Sequence, residues 1–226
     1  MKDEKKHLLI LLDGEEPSEA IIKQFVKNAS YIIATDGSAE YAHAHNIPLD
    51  AIIGDMDSLS KEIRNEYETK GTRILEETEQ QSNDFEKALR LILNESLGRD
   101  IIILGIHGKR TDHLLTNFSV MLRYTDEFDS LIAYDATHAH EFLTDETNWY
   151  SFDCPVGTII SLTPLPMAQG VTTTGLYYPL KNARMVFGER EGLSNIISAE
   201  DARVEIAIGA ILISIPFDIE EKEVKI

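Results

Sequence analysis

The residues of this sequence best suited to chemistry are acids at short spacing. In AIIGDMDSLS, residues 51–60, an apolar run ends at Gly54 and is followed by Asp55 and Asp57 with one residue between them. If the chain stays extended there, both carboxylates point to one side and Met56 to the other, so that the two acids can share one hard cation. Further along, EQQSNDFEKAL brings Gln80, Asp84 and Lys87 close together, and GKRTDHLLTN sets Arg110 and Asp112 beside a glycine. Oxygen-only ligands suit Mg²⁺, which keeps several waters and completes its shell with substrate phosphates. Lys87 and Arg110 would then supply fixed positive charge for phosphate oxygens. Each piece has a plainer reading. Asp and Ser favour turns, an acid suits a helix N-terminus, and Arg110 with Asp112 could form a surface pair worth little.

The elements that position these residues decide between the readings. LLILL at 8–12, YIIATDG, DAIIGD, TRILEE, DIIILGIHG and DSLIAYDA read as strands. Between them, PSEAIIKQFVKNA, SAEYAHAHN, SLSKEIRNEYETKG, SNDFEKALRLILNESLG and TDHLLTNFSVMLRY read as helices. This alternation predicts an α/β fold with a mostly parallel sheet flanked by helices. Ligands of such sheets bind outside the carboxyl ends of the strands. On that one edge the sequence would gather Asp36 with Gly37, Asp55 with Asp57, Gln80 with Asp84, and Arg110 with Asp112. The helix from Asp84 is the best defined, with Phe85, Ala88, Leu89 and Ile92 on one face and Ser82 or Asn83 as cap. After residue 143 the pattern changes to GTIISLTPL, GVTTTGLYYPL, ARMVFGE and RVEIAIGAILISI, short strands bounded by turn residues. The expected organisation is therefore an α/β domain over 1–143 and a C-terminal antiparallel β domain over 144–226.

A formal net charge of −18 argues against nucleic acid or anionic membrane as partner, since both need a basic face. The single Cys154 rules out an intramolecular disulfide and fits a reducing, cytoplasmic setting. The opening MKDEKKHLLILLDG resembles a leader, but its apolar run stops at Asp13 and reads as a strand; no segment is long enough to span a membrane. Of two His-x-His pairs, His43 and His45 diverge by about 200° on a helix. His138 and His140 could share a strand face, but nothing nearby completes a ligand set and a lone pair cannot fill a tetrahedral shell. No metal role is expected for either pair.

The order of motifs resembles the thiamine pyrophosphokinase (thiamine diphosphokinase) family. TDGSAEYA, PLDAIIGDMDSL, EQQSNDFEKAL, GKRTDHLLTN, TTTGLYYPLKNA and GLSN follow one another in family order over nearly the whole chain. The resemblance implies an N-terminal α/β domain, a C-terminal β-sandwich that binds thiamine, and a homodimer with active sites at the interface. It also implies Mg²⁺-dependent transfer of the β,γ-diphosphoryl group from ATP to thiamine, giving thiamine diphosphate and AMP. On that basis Asp55, Asp57 and Asp84 are metal ligands, and Asp36, Gly37, Gln80, Lys87, Arg110, Asp112 and His113 are nucleotide contacts. Arg110 and Asp112 join the metal acids as catalytic residues, and Tyr178, Ser194 and Asn195 bind thiamine. Ser38 stands where the family often has glycine, Glu79 where it often has Asp, and Asn83 where it usually has Thr. Two other readings use the same acidic edge: a Mg²⁺-dependent nucleotide phosphohydrolase, and a nucleotide-sensing module without turnover.

Overall fold

The computed structural model describes residues 6–217. The lysine-rich opening, residues 1–5, and the outer ends of both expected domains lie outside the described residues. Contacts divide the chain into one unit that ends at Ala136 and a second of Thr137–Asp218. The border thus falls earlier than the expected 143/144. The reason is a strand not foreseen as such, His138–Thr144, which belongs to the second unit by its pairing.

In the first unit, strands β1 (His7–Leu11), β2 (Ala29–Thr35), β3 (Ala51–Gly54), β4 (Arg73–Glu76), β5 (Asp100–Leu104) and β6 (Ser130–Tyr134) alternate with five helices. These are α1 (Glu19–Asn28), α2 (Asp36–Ala44), α3 (Lys61–Lys70), α4 (Asp84–Glu95) and α5 (Thr111–Tyr124). The sheet order is β4-β3-β2-β1-β5-β6 and every pairing is parallel, for example Ile10 beside both Ile33 and Ile103. Strands buried on both faces must be apolar throughout. In β1 all five residues are buried, and in β3 all four. Phe25 of α1 and Phe85, Leu89 and Ile92 of α4 close over the sheet. Ser18, Ser60 and Asn83 each accept a backbone N–H in the first turn of α1, α3 and α4, which fixes where those helices start. The strand order reverses between β1 and β5, and the open crevice of such a sheet lies at that switch point.

The second unit is antiparallel: β7 (His138–Thr144), β8 (Trp149–Ser151), β9 (Ile159–Thr174), β10 (Ala183–Val186), β11 (Gly192–Ile196), β12 (Arg203–Glu205) and β13 (Ile208–Pro216). β9 is its spine. The two strands expected from GTIISLTPL and GVTTTGLYYPL are one strand of 16 residues, running through Pro164, Pro166 and Gly170. On one side β11 pairs with residues 159–162 and β10 with residues 167–171, so both prolines fall between partners, where no ladder N–H is needed. Conversely, RVEIAIGAILISI is two strands: β12 pairs with the last residues of β9, and β13 with both its earlier part and β7. Leu162, Val171, Met185, Val204 and Ile211 form one core.

Candidate active site

The crevice at the ends of β1 and β5 is a cleft of about 490 Å³. Asp36, Gly37, Asp55, Asp57, Gln80, Asp84, Lys87, Arg110 and His113, all expected at the site, line it. Asp112 does not. The local chain explains the convergence. Asp36 and Gly37 open α2, whose N-cap Thr35 gives no side-chain hydrogen bond, and α5 likewise starts without one at Arg110. Both helices therefore bring a positive dipole end to the cleft, where the acids near their starts, Asp36 and Asp112, take up first-turn N–H groups. Gly105 has φ +76°, and a Cβ there would run into the Leu12 carbonyl, so β1 and β5 can leave the sheet this close together only with glycine.

Carboxylate oxygens of Asp36, Asp55 and Asp57 lie within 4.8 Å of one another. They do not converge in the way an extended chain would bring them. Met56 is left-handed at φ +64°, and the Asp57 N–H donates to Asp55 Oδ1 at 3.3 Å, so a tight turn folds the two acids together. Asp36, expected as a nucleotide contact, supplies the third oxygen. It is 5% exposed, accepting from Gly37 N at 2.7 Å and Ser58 N at 3.4 Å. Burial, with smaller contributions from the charges of Asp84 and Asp55, raises its pKa. The Asp57 N–H bond first, then Gln80 and Lys87, lowers that of Asp55. Three oxygen donors, one of them a buried acid whose ionised form needs a positive neighbour, fit a hard divalent cation.

Asp84 stands beside this group but is committed otherwise. Lys87 Nζ donates to Asp84 Oδ1 at 2.8 Å and to the Glu77 carbonyl at 2.9 Å, and Lys87 is only 3% exposed. The lysine thus holds the start of α4 to the loop that carries Gln80, whose Nε2 donates to Asp55 Oδ2 at 3.5 Å. Asn83, a departure from the family pattern, keeps the capping role, accepting from Glu86 N at 3.0 Å. Glu79 and Ser82 are tied to Arg90 at 3.3 and 2.8 Å. Ser38 is buried, donating to the Leu11 carbonyl at 2.7 Å and so fixing α2 to β1. Arg110 Nε donates to Asp112 Oδ1 at 3.1 Å, and that bond pulls Asp112 down to about 2. Such an acid is a weak base; it suits steering Arg110.

Cleft residues that the sequence reading passed over are Asp13 and Gly14 after β1, Lys109, which pairs with Asp13, and Asn117 on α5. Asp13 carried the same signal as the others, an acid followed by glycine at a strand end. The His pairs differ from each other. His43 binds Glu66 at 2.8 Å while His45 packs on Tyr41, whereas the rings of His138 and His140 stack on β7 with centroids 6.2 Å apart.

In the second unit, Tyr178 is 59% exposed and meets Tyr177 edge to face at 4.9 Å. Ser194 is exposed at φ +55°, its N–H donating to Ser161 Oγ at 3.1 Å. Asn195, 4% exposed, is bonded to backbone at both ends of its amide: Oδ1 accepts from Tyr178 N at 3.0 Å and Ile196 N at 2.9 Å, and Nδ2 donates to Tyr178 O at 2.8 Å. Its side chain shapes the Tyr178 turn rather than presenting a free polar group.

The family model described as thiamin pyrophosphokinase, catalytic domain, matches residues 22–132. That described as thiamin pyrophosphokinase, vitamin B1 binding domain, matches residues 146–212. Thiamine pyrophosphokinase 1 of Arabidopsis thaliana is 31% identical over 172 residues, which cover 69% of this chain and 61% of the plant protein. Its namesake from Oryza sativa subsp. japonica is 31% identical over 168 residues with the same coverage, so the chain spans 61% of the length of each of these relatives. Among solved structures, yeast thiamin pyrophosphokinase superposes with a TM-score of 0.81 at 16% identity, covering 98% of this chain and 89% of that one. The Bacillus subtilis structure gives 0.76 at 20% identity, with 93% and 99% covered. At these identities the structures establish the fold.

Proposed function

Because the chain belongs to the thiamin pyrophosphokinase family, both of whose domain models match it in order, we propose that it transfers the β,γ-diphosphoryl group of ATP to the hydroxyl of thiamine, giving thiamine diphosphate and AMP. The observation that carries this reading is the meeting of Asp36, Asp55 and Asp57 in a cleft that also takes in the starts of α2 and α5. Asp55 and Asp57 would hold Mg²⁺ with Asp36 or Asp84. A cation held there would neutralise phosphate charge and let a polyanion approach an acidic edge. Arg110, steered by Asp112, and the N-termini of α2 and α5 supply fixed positive potential to phosphate oxygens. Lys87 keeps Asp84 and the Gln80 loop in place, so that positioning, the main source of catalysis in phosphoryl transfer, is provided by the fold.

Tyr178 offers an exposed aromatic face on which the cationic thiazolium or the flat pyrimidine can stack, with Ser194 beside it. The second unit also exposes Tyr177, Phe187 and Leu193, the last 76% accessible. Apolar surface of this kind supports assembly as a homodimer. Among the described residues no helix is long and apolar enough to cross a membrane, and a single cysteine, Cys154, suits a reducing, cytoplasmic setting.

The test is to incubate the purified chain with Mg²⁺, ATP and thiamine, and with controls lacking each, and to identify products by mass spectrometry. Thiamine diphosphate and AMP in equal amounts, dependent on all three, are expected. ATP loss that ignores thiamine would replace this reading with the phosphohydrolase, and saturable binding without turnover with the sensing module.

A further inference from the structure

We propose that the side-chain amide of Asn117 is a hydrogen-bond donor to the nucleotide in the cleft, an inference that rests on the ATP-dependent reading above. The orientation of this amide follows from the backbone. Asn83 caps α4 by accepting the Glu86 N–H at 3.0 Å, and a backbone N–H can only donate, so the capping atom must be oxygen. The other end of Asn83 is then its NH₂ group, which lies 2.9 Å from Asn117. The Asn117 atom facing it must accept, and is therefore Oδ1. An amide that turns its oxygen one way turns its NH₂ the other. Asn117 is left with donor hydrogens that meet no acceptor among the described residues, although it lines the cleft.

The helix places this donor among groups of matching purpose. Arg110, His113 and Asn117 are three and four residues apart, line the same cleft, and so form one face of the first two turns of α5. A neutral donor beside a guanidinium and an imidazole suits a ligand rich in acceptors, as a nucleoside triphosphate is. It does not suit a cation, which would turn to the acids across the cleft.

Two substitutions in the full chain separate a donor from a structural tie. Asn117→Ala removes donor and tie together, while Asn83→Thr keeps a capping oxygen for α4 and removes only the tie, with no change of charge. ATP binding in the presence of Mg²⁺ and without thiamine is measured by calorimetry, and folding by thermal melting. The expected result is a dissociation constant weakened roughly tenfold in Asn117→Ala, the loss of one hydrogen bond to a charged group, and wild-type affinity in Asn83→Thr. Wild-type affinity in Asn117→Ala would overturn the assignment. Equal weakening in Asn83→Thr would also overturn it, since only the tie to Asn83 would then matter. A wild-type chain that binds no ATP would overturn the proposed function itself, and this inference with it.

Discussion

Asp36 and Asp57 belong to one acidic group but differ in burial, and their replacements should behave in opposite ways. Asp57 is exposed, so Asp57→Asn should leave the melting midpoint within about 2 °C of wild type, as surface changes do. It should lower kcat by about two orders of magnitude, the scale of losing one preorganised electrostatic contact. Wild-type turnover with unchanged Mg²⁺ dependence would remove Asp57 from the site. Asp36 is buried in its ionised form at a cost, which is why its pKa is raised. In the absence of divalent cation, Asp36→Asn should therefore raise the midpoint while abolishing turnover. A lower midpoint would mean that the hydrogen bonds from Gly37 and Ser58 outweigh burial. The acids were legible because each ends an apolar run. How they meet was not, since nothing in Asp-Met-Asp signals a left-handed Met56, and Asp36 joins them only through the parallel pairing of β2 with β3.

At the scale of elements, α4 and α5 flank the cleft and are tied together by Glu86, which accepts from both Arg123 amino groups at 3.2 and 2.8 Å and from the Tyr124 hydroxyl at 3.1 Å. Glu86→Ala should cost about 1–2 kcal/mol, moderated by the half exposure of Arg123; urea melts that match wild type would show the tie to be idle. In the second unit, burial raises Glu141 of β7 to about 7, and the Tyr150 hydroxyl offsets only part of that. Between about pH 4.5 and 7 the folded chain keeps a proton that the unfolded chain has released. Stability should therefore fall as pH rises through this window, by about 3 kcal/mol at most. Glu141→Gln should flatten the slope and be the more stable protein at pH 8, and an unchanged slope in paired melts would assign it to other groups. The parallel half was readable element by element because its strands centre on apolar runs, even β4, where only Ile74 and Leu75 lie between Arg73 and Glu76. The antiparallel half was less so: β8 has three residues, β11 buries only Asn195 fully, and the prolines of β9 look like an interruption until the gap between β10 and β11 is known.

Over the whole molecule the net charge of −18 opposes compactness through self-repulsion, which salt screens. Raising sodium chloride from 0.01 to 0.15 M shortens the Debye length from about 30 to about 8 Å and should raise the melting midpoint; a midpoint that falls would mean that local ion pairs, such as Arg73 with Glu95 at 2.7 Å, matter more than the overall excess. Asp13 and Gly14 escaped notice at this same scale, because only the reversal of strand order between β1 and β5 turns the end of the first strand into part of the site. The long β9 carries a further meaning, in time rather than in space. It leaves the ribosome well before β13, the partner that must cover one of its sides, has been made. Through that interval a 16-residue strand stands with an open edge, the kind of template on which neighbouring nascent chains pair with one another. Arrival of β13 is thus the step that ends the exposure, and a message cut short before Ile208 should send its product into aggregates rather than into a shortened but soluble protein.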